Sequence, residues 1–151
     1  MSTAERVLAD FTVPSEPGNE REVMDRVATA VAPIGLPPDR VEKLKTAVAE
    51  AAMNAIEHGN QGNAELRVVV RVVATPEDVS VLITDQGGAP SDVTTEEPDI
   101  EAKLAGLQKP RGWGLFLIRN MVDELDVTTD GHLHTVRLTL RLEEEETRAN
   151  A

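Results

Sequence analysis

The spacing of apolar residues along the chain predicts an alternation of strands and helices. Residues 7–13 carry apolar side chains at every second position, as in a half-buried strand. After a turn that contains proline and glycine, Val23 and Val27 begin an apolar stripe at helical spacing. Asn19, with Glu22 three residues later, forms a capping-box-like pair that predicts the start of this helix. The pattern therefore predicts a strand followed by an amphipathic helix.

A longer second helix is predicted over residues 39–58. Pro38 or Asp39 opens it, and Gly59 is expected to close it in the left-handed conformation that glycine adopts without strain. The positions assigned to the core recur at helical spacing, and they are Val41, Leu44, Val48, Ala52 and Ala55. This spacing leaves another stripe of the helix for polar side chains.

The rest of the chain predicts strands, one long irregular segment and a third helix. Residues 65–74 and 79–85 are typical of strands, and the first of them lacks a clean alternation, which indicates an interior position in a sheet. The irregular residues 87–114 are longer than an ordinary connection, and such segments are usually lids or binding loops. Residues 115–125 then predict a helix.

The C-terminal pattern completes the fold class. Residues 126–142 predict a hairpin that turns at Asp130 and Gly131. The whole order of elements predicts an α+β fold, with the helices gathered on one face of a mixed, mostly antiparallel sheet. Residues 1–142 are assigned to one domain and residues 143–151 to an acidic, solvated tail.

The composition narrows the classes of function. Of 151 residues, 15 are Lys or Arg and 27 are Asp or Glu, so the net charge is −12. This charge argues against binding to nucleic acid or to anionic lipid, since both require a basic surface. A sequence without cysteine excludes disulfides, thiolate catalysis and cysteine-ligated metals. No apolar run approaches the ~20 residues of a membrane span, and a cytoplasmic protein is expected.

Two polar clusters are candidates for chemistry, and each has a plain structural alternative. Glu50 and Asn54 lie one turn apart on the second helix with His58 one turn further, either as a solvated face or as a base beside a ligand for a hard cation. His58 is interpreted as ending the helix by packing or hydrogen bonding. Asp85 ends a strand and is followed by Gln86 and Gly87, as in a common turn or in a carboxylate that the sheet holds at a binding site.

A third cluster precedes the third helix. Gly112 and Gly114 flank Trp113, next to the cations Lys109 and Arg111. The segment is either a flexible turn or a phosphate site at a helix N-terminus, and Trp113 either packs on the sheet or anchors a partner. On the predicted hairpin, His132 and His134 have the spacing of one strand face. They could be metal ligands, but a solvent-facing hairpin edge is the preferred interpretation.

The three clusters together resemble a known family. The order Glu-x-x-x-Asn-x-x-x-His on a helix, Asp-x-Gly after a strand and Gly-x-Gly before a helix is similar to the GHKL (Bergerat-fold) ATP-binding domain. Residues 50–59 and 112–118 most resemble the small anti-sigma-factor serine/threonine kinases of bacteria. The resemblance spans the chain to about Leu142 and implies a two-layer α/β sandwich. The residue after Gly88 departs from the glycine that many members carry, and the lid is short and acidic.

The resemblance implies roles for individual residues. Asn54 would give its side-chain oxygen to Mg²⁺ on the triphosphate of ATP, and Glu50 would be the general base toward a serine or threonine hydroxyl. Asp85 would accept a hydrogen bond from the adenine amino group, and Gly87 would let the base lie against the backbone. Thr135 matches a threonine that helps Asp85 at the adenine end.

The lid residues receive roles in the same way. Gly112 and Gly114 would let the lid close over the phosphates, and Arg111 would contact phosphate or a partner. The family implies a kinase that phosphorylates an anti-sigma-factor antagonist and, as a homodimer, captures a sigma factor. The alternative is an ATP-binding regulatory module that sequesters a partner without transferring phosphate. A histidine kinase fragment is disfavoured, because no phosphoacceptor helical hairpin precedes the predicted domain.

Overall fold

The computed structural model describes residues 5–87 and 118–142, which form two helices packed on a five-stranded sheet. The strands are β1 (Arg6–Pro14), β2 (Arg67–Ala74), β3 (Asp78–Asp85), β4 (Glu124–Asp130) and β5 (Leu133–Arg141). The helices are α1 (Asn19–Val31) and α2 (Pro38–Asn54), and α2 continues into a π-helical turn, Ala55–Gly59. Within these residues, no helix is both long and apolar enough to cross a bilayer.

The sheet has the order β1-β2-β3-β5-β4, and each neighbouring pair is antiparallel. Strand β2 lies between β1 and β3, which confirms the interior position that its irregular pattern predicts. The hairpin of β4 and β5 turns after Asp130, as predicted, with Gly131 at a φ of 64°. The α+β fold class is therefore confirmed, and all of the described pairings are antiparallel.

One hydrophobic core lies between the helices and one face of the sheet. Strand residues such as Val70, Ile83 and Leu138 point into it from neighbouring strands, and Val27 and Leu44 meet them from α1 and α2. All five side chains are at most 1% exposed. Successive side chains of a strand point to opposite faces of the sheet. The register of β3 against β5 therefore determines which polar residues at the end of the core face the helices together.

The predicted cap of α1 is wrong. Asn19 is already the first residue of the helix, and its side-chain Nδ2 donates backwards to the carbonyl oxygen of Pro14 at 2.8 Å. Gly18 precedes the helix with a φ of 99°, and its N–H donates to Glu20. Glu22 instead pairs with Arg26, one turn later. The asparagine therefore ties the helix to the end of β1 and does not cap it.

The third helix ends earlier than predicted. Its described part begins at Ile118, and a turn closes there as the N–H of Met121 donates to the Ile118 carbonyl. Leu125, predicted to lie in this helix, belongs to β4 and is paired with Leu138 of β5. Leu125 adopts the strand conformation because the backbone of β4 is hydrogen-bonded to β5. The N–H of Asp123, just before β4, also donates to the carbonyl of Thr139 in β5.

Candidate functional site

Helix α2 carries two of the predicted site residues on its regular α-helical part. Glu50 and Asn54 are both half-buried and stand one turn apart. Ala51 and Ala52 beside them are at most 1% exposed and pack into the core. These small residues bring the helix close to the sheet, so a carboxylate and an amide stand at the edge of the core.

The π-helical turn after Asn54 changes the end of the helix from the predicted geometry. The N–H of Asn60 donates to the carbonyl of Ala55 at 2.8 Å, five residues back. His58 is exposed in this turn and does not continue the half-buried stripe of Glu50 and Asn54. Such wide turns recur at functional sites because they redirect a helix locally.

Gly59 is small for a different reason from the one predicted. Its φ is not positive, so the expected left-handed cap is wrong, and the positive φ values come later, at Gln61 and Gly62. The glycine lies directly against the Asp85 side chain, and a Cβ built on it would overlap the carboxyl group. The end of the helix therefore contacts the end of β3 with no room for a methyl group.

Asp85 is the polar centre of this contact. It is 8% exposed and faces the helices from the last position of β3. One carboxylate oxygen, Oδ1, accepts the N–H of Gly87 at 2.9 Å and lies 3.0 Å from the Nδ1 of His134. The structure thus buries a carboxylate at the predicted base-binding position and fixes one of its two oxygens.

His134, and not Thr135, is the β5 residue that reaches Asp85. The register pairs Asp85 with His134 and Thr84 with Thr135, so the two pairs lie on opposite faces of the sheet. The Thr135 hydroxyl bonds that of Thr84 at 2.8 Å. The role predicted for Thr135 beside Asp85 is therefore not met by the structure, because the side-chain alternation turns it away.

The interpretation of the histidine pair is also corrected. His132 is exposed in the turn before β5, as expected for a hairpin edge, but His134 is 5% exposed and lies inside the strand. The two-residue spacing of His132 and His134 could not predict this burial, because it does not show that β5 begins between the two histidines. Among the described residues, no group of three or more acidic, histidine or cysteine side chains could hold a metal.

Gly87 combines a special backbone conformation with close packing. Its φ is 75°, a region that side chains other than glycine enter at a cost. A Cβ there would also overlap the carbonyl of His132 in the turn between β4 and β5. The glycine thus lets this turn approach the segment that follows Asp85. The other predicted contacts, from Arg111, Gly112, Gly114 and Trp113, lie outside the described residues.

Asn60 holds the site together and was missed in the sequence. It is 0% exposed; its Nδ2 donates to the hydroxyl of Ser15 at 2.8 Å and the carbonyl of Arg67 at 3.3 Å, and its Oδ1 accepts the N–H of Gln86 at 2.8 Å. One side chain therefore joins the π-helical turn, the end of β1, the start of β2 and the residue after Asp85.

Replacing Asn60 with alanine is expected to lower the free energy of unfolding by about 2–3 kcal/mol, because partners on three segments lose their hydrogen bonds to this buried side chain. Chemical denaturation measures this change. Asn63→Ala is the control, since Asn63 is exposed and its side-chain oxygen accepts the N–H of Glu65, two residues away. Equal losses in the two variants would contradict the role of Asn60 as a clamp.

Comparison with known proteins assigns the chain to a family. Residues 13–140 match the histidine kinase-like ATPase domain. The chain belongs to this family. Membership confirms the GHKL resemblance that the motifs predict, and it implies that ATP is the nucleotide that the domain uses.

The relatives of this histidine kinase-like ATPase domain include anti-sigma factors. The anti-sigma F factor of Bacillus subtilis (strain 168) is 28% identical over 125 residues, which cover 82% of this chain and 85% of the relative. The anti-sigma F factor of Bacillus cereus (strain AH187) is 29% identical over 119 residues, 74% of this chain and 76% of the relative.

Two solved structures share the fold. The structure of the RsbU and RsbW domains of a Mycobacterium tuberculosis protein has a TM-score of 0.64 and 20% identity, covering 93% of this chain and 33% of that longer one. The SiaB–SiaC complex from Pseudomonas aeruginosa has a TM-score of 0.63 and 15% identity, covering 89% of this chain and 90% of the matched one. At these identities the likeness concerns the fold alone.

Proposed function

We propose that this protein is an ATP-dependent serine/threonine protein kinase that acts as an anti-sigma factor. The observation that carries the proposal is the contact of Gly59 with Asp85, which brings the helix bearing Glu50 and Asn54 against the end of β3. This contact supports the assignment of a group that can bind a base and a group that can take a proton to one site. Membership of the ATPase family and similarity to anti-sigma F factors support the same function.

The adenine end of the site is assigned to Asp85. Its Oδ1 already has two partners, whereas no described residue donates a hydrogen bond to Oδ2. A carboxylate oxygen with spare lone pairs is a suitable acceptor for the exocyclic amino group of adenine. Gly87 is proposed to let a planar base lie against the backbone, and its missing side chain also admits the His132 carbonyl on the side where a Cβ would stand.

Asn54 is assigned to the Mg²⁺ that accompanies ATP. The donor chemistry fits, because Mg²⁺ takes oxygen ligands and is usually bound by one or two protein groups together with phosphates and water. Asn54 offers one amide oxygen at a half-buried position, and the carboxylate of Glu50 is one turn away. When bound, the ion neutralises charge on the triphosphate.

Glu50 is assigned to proton transfer. Its carboxylate takes the proton of a serine or threonine hydroxyl, the hydroxyl oxygen forms a bond to the γ-phosphorus, and the bond from that phosphorus to the β-phosphate bridging oxygen breaks, releasing ADP. Glu50 is half-buried on the regular part of α2, one turn before Asn54. Arg111, Gly112 and Gly114 are proposed to contact and cover the phosphates.

The proposed partners are an anti-sigma-factor antagonist, as the phosphorylated substrate, and a sigma factor, as the captured protein. The proposed setting is the cytoplasm, with residues 1–142 as the functional domain, residues 143–151 as a tail and a homodimer as the working form. Phosphorylation of the antagonist would release it, so that the sigma factor takes its place. Binding of nucleotide without phosphotransfer is the competing function.

The experiment begins with wild-type protein as bait in a pull-down with and without ATP and Mg²⁺. Retained proteins are then incubated with the kinase and γ-labelled ATP, and labelled serine or threonine residues are sought. Transfer of label that requires ATP and a divalent cation supports the kinase. ATP binding without transfer to any retained protein would favour the non-catalytic module, and no binding of ATP would refute both.

A further inference from the structure

His134 carries an unsatisfied polar atom inside the protein. Its side chain is 6% exposed, and its Nε2 is a buried side-chain nitrogen without a hydrogen-bond partner within the described part of the chain. A buried polar atom without a partner costs free energy, so most such atoms in folded proteins are paired. This unpaired nitrogen belongs to the imidazole whose other nitrogen contacts Asp85, so its role is considered together with that carboxylate.

The contacts of the histidine determine what the free nitrogen can do. The Asp85 carboxylate only accepts hydrogen bonds when it is ionised, so the His134 Nδ1, 3.0 Å from Oδ1, carries the proton of that bond. In a neutral imidazole with hydrogen on Nδ1, the other nitrogen is an acceptor. With Asp85 ionised and the imidazole neutral, Nε2 of His134 and Oδ2 of Asp85 are two acceptor atoms to which no described residue donates.

We propose that His134 is a positioning and specificity-determining residue of the nucleotide-base site. Through Nδ1 it holds Oδ1 of Asp85, and Gly87 bonds the same oxygen, so the second oxygen keeps one direction. Through Nε2 it offers a further acceptor to the base, directly or through one bound water. This inference rests on the proposed function of the site as an ATP site.

The chemistry of the two acceptors favours adenine over guanine. Adenine presents an amino group at its six position, which is a donor, and guanine presents a carbonyl oxygen there, which is an acceptor. If the guanine carbonyl oxygen faced Nε2 of His134 and Oδ2 of Asp85, the buried lone pairs of these atoms would have no donor. Sites that bind a ligand through hydrogen bonds discriminate strongly against an analogue that cannot make them. His134 is therefore expected to widen the preference for ATP over GTP that Asp85 alone would give.

Three variants of the full chain separate the two contacts of the histidine. Leucine removes both, asparagine retains a donor near the place of Nδ1, and glutamine retains a polar group only near the place of Nε2. ATP, GTP and inorganic tripolyphosphate, each with Mg²⁺, are titrated into every protein by calorimetry. His132→Asn is the matched control, since the His132 side chain is exposed two residues away.

His134→Leu is expected to weaken ATP binding about 10- to 100-fold, the effect of losing hydrogen bonds to a charged group. The affinities for GTP and for tripolyphosphate are expected to change little, so the ATP-to-GTP ratio falls with the loss. His134→Asn is expected to recover part of the ATP affinity by holding Asp85 again. If the leucine variant does not fold, the comparison of His134→Asn with the wild type tests the inference.

Two results would overturn the inference while leaving the proposed function intact. One is wild-type affinity for ATP and GTP in His134→Leu. The other is an equal loss for ATP, GTP and base-free tripolyphosphate, which would show a purely structural role. Failure of the wild-type protein to bind ATP at all would instead remove the proposed function on which the inference rests.

Discussion

Replacing Glu50 with glutamine is expected to slow phosphotransfer by roughly 10²- to 10⁴-fold, the range for loss of a general base. The amide has nearly the shape of the carboxylate but cannot take the proton of the attacking hydroxyl. ATP affinity should stay close to that of the wild type, because Asp85, the carboxylate proposed to bind the base, is on β3 and is unchanged. Single-turnover transfer from γ-labelled ATP to the antagonist measures the rate, and calorimetry measures the affinity.

Glu57→Gln is the matched control for this experiment. It removes one negative charge from the π-helical turn that follows the same helix, at a position that is exposed. The control separates the loss of a base from a change in the net charge of a strongly acidic protein. Wild-type transfer by Glu50→Gln would disprove the assignment of the base, and a loss of the same size in both variants would point to charge alone.

The regular elements could be predicted from the sequence because their residues follow the periods of strand and helix. The positions 44, 48, 52 and 55 assigned to the core of α2 and its π-helical turn are buried, although Val41 is only half-buried. The C-terminal hairpin was predicted from its strand pattern and its Asp-Gly turn, whereas the interior position of β2 was predicted because its apolar run lacks a clean alternation. Asp85 was also found from its sequence, since a carboxylate between an apolar strand and glycine is visible without coordinates.

The remaining parts of the site depend on contacts between distant segments. Whether His134 or Thr135 contacts Asp85 depends on the register of β5 against β3. A shift of one residue would exchange the two, because neighbouring residues of a strand face opposite ways. The hydrogen bonds of Asn60 reach Ser15, 45 residues earlier in the chain. The π-helical turn also escapes prediction, because periodicity describes regular helices and not one widened turn.

Replacing Gly59 with alanine is expected to weaken ATP binding by displacing the Asp85 carboxylate. The new Cβ would overlap the Asp85 carboxyl group, so the carboxylate must leave its position between Gly87 and His134. Overpacking of this kind costs about 1–3 kcal/mol of stability, and displacement of the carboxylate proposed to bind the base should lower ATP affinity about 10- to 100-fold, as loss of hydrogen bonds to a charged group does.

A double-mutant cycle shows whether the effect acts through Asp85. In the background of Asp85→Ala most of the overlapping atoms are gone, so adding Gly59→Ala should cost little further stability and no further ATP affinity. Gly62→Ala measures the cost of left-handed backbone strain without overlap, because Gly62 has a φ of 69° and no atom within 4 Å of an added Cβ, and this strain is absent at Gly59. Additive losses in the cycle would show that Gly59 acts independently of Asp85, and the helix and the strand would then not form the single site on which the proposed kinase depends.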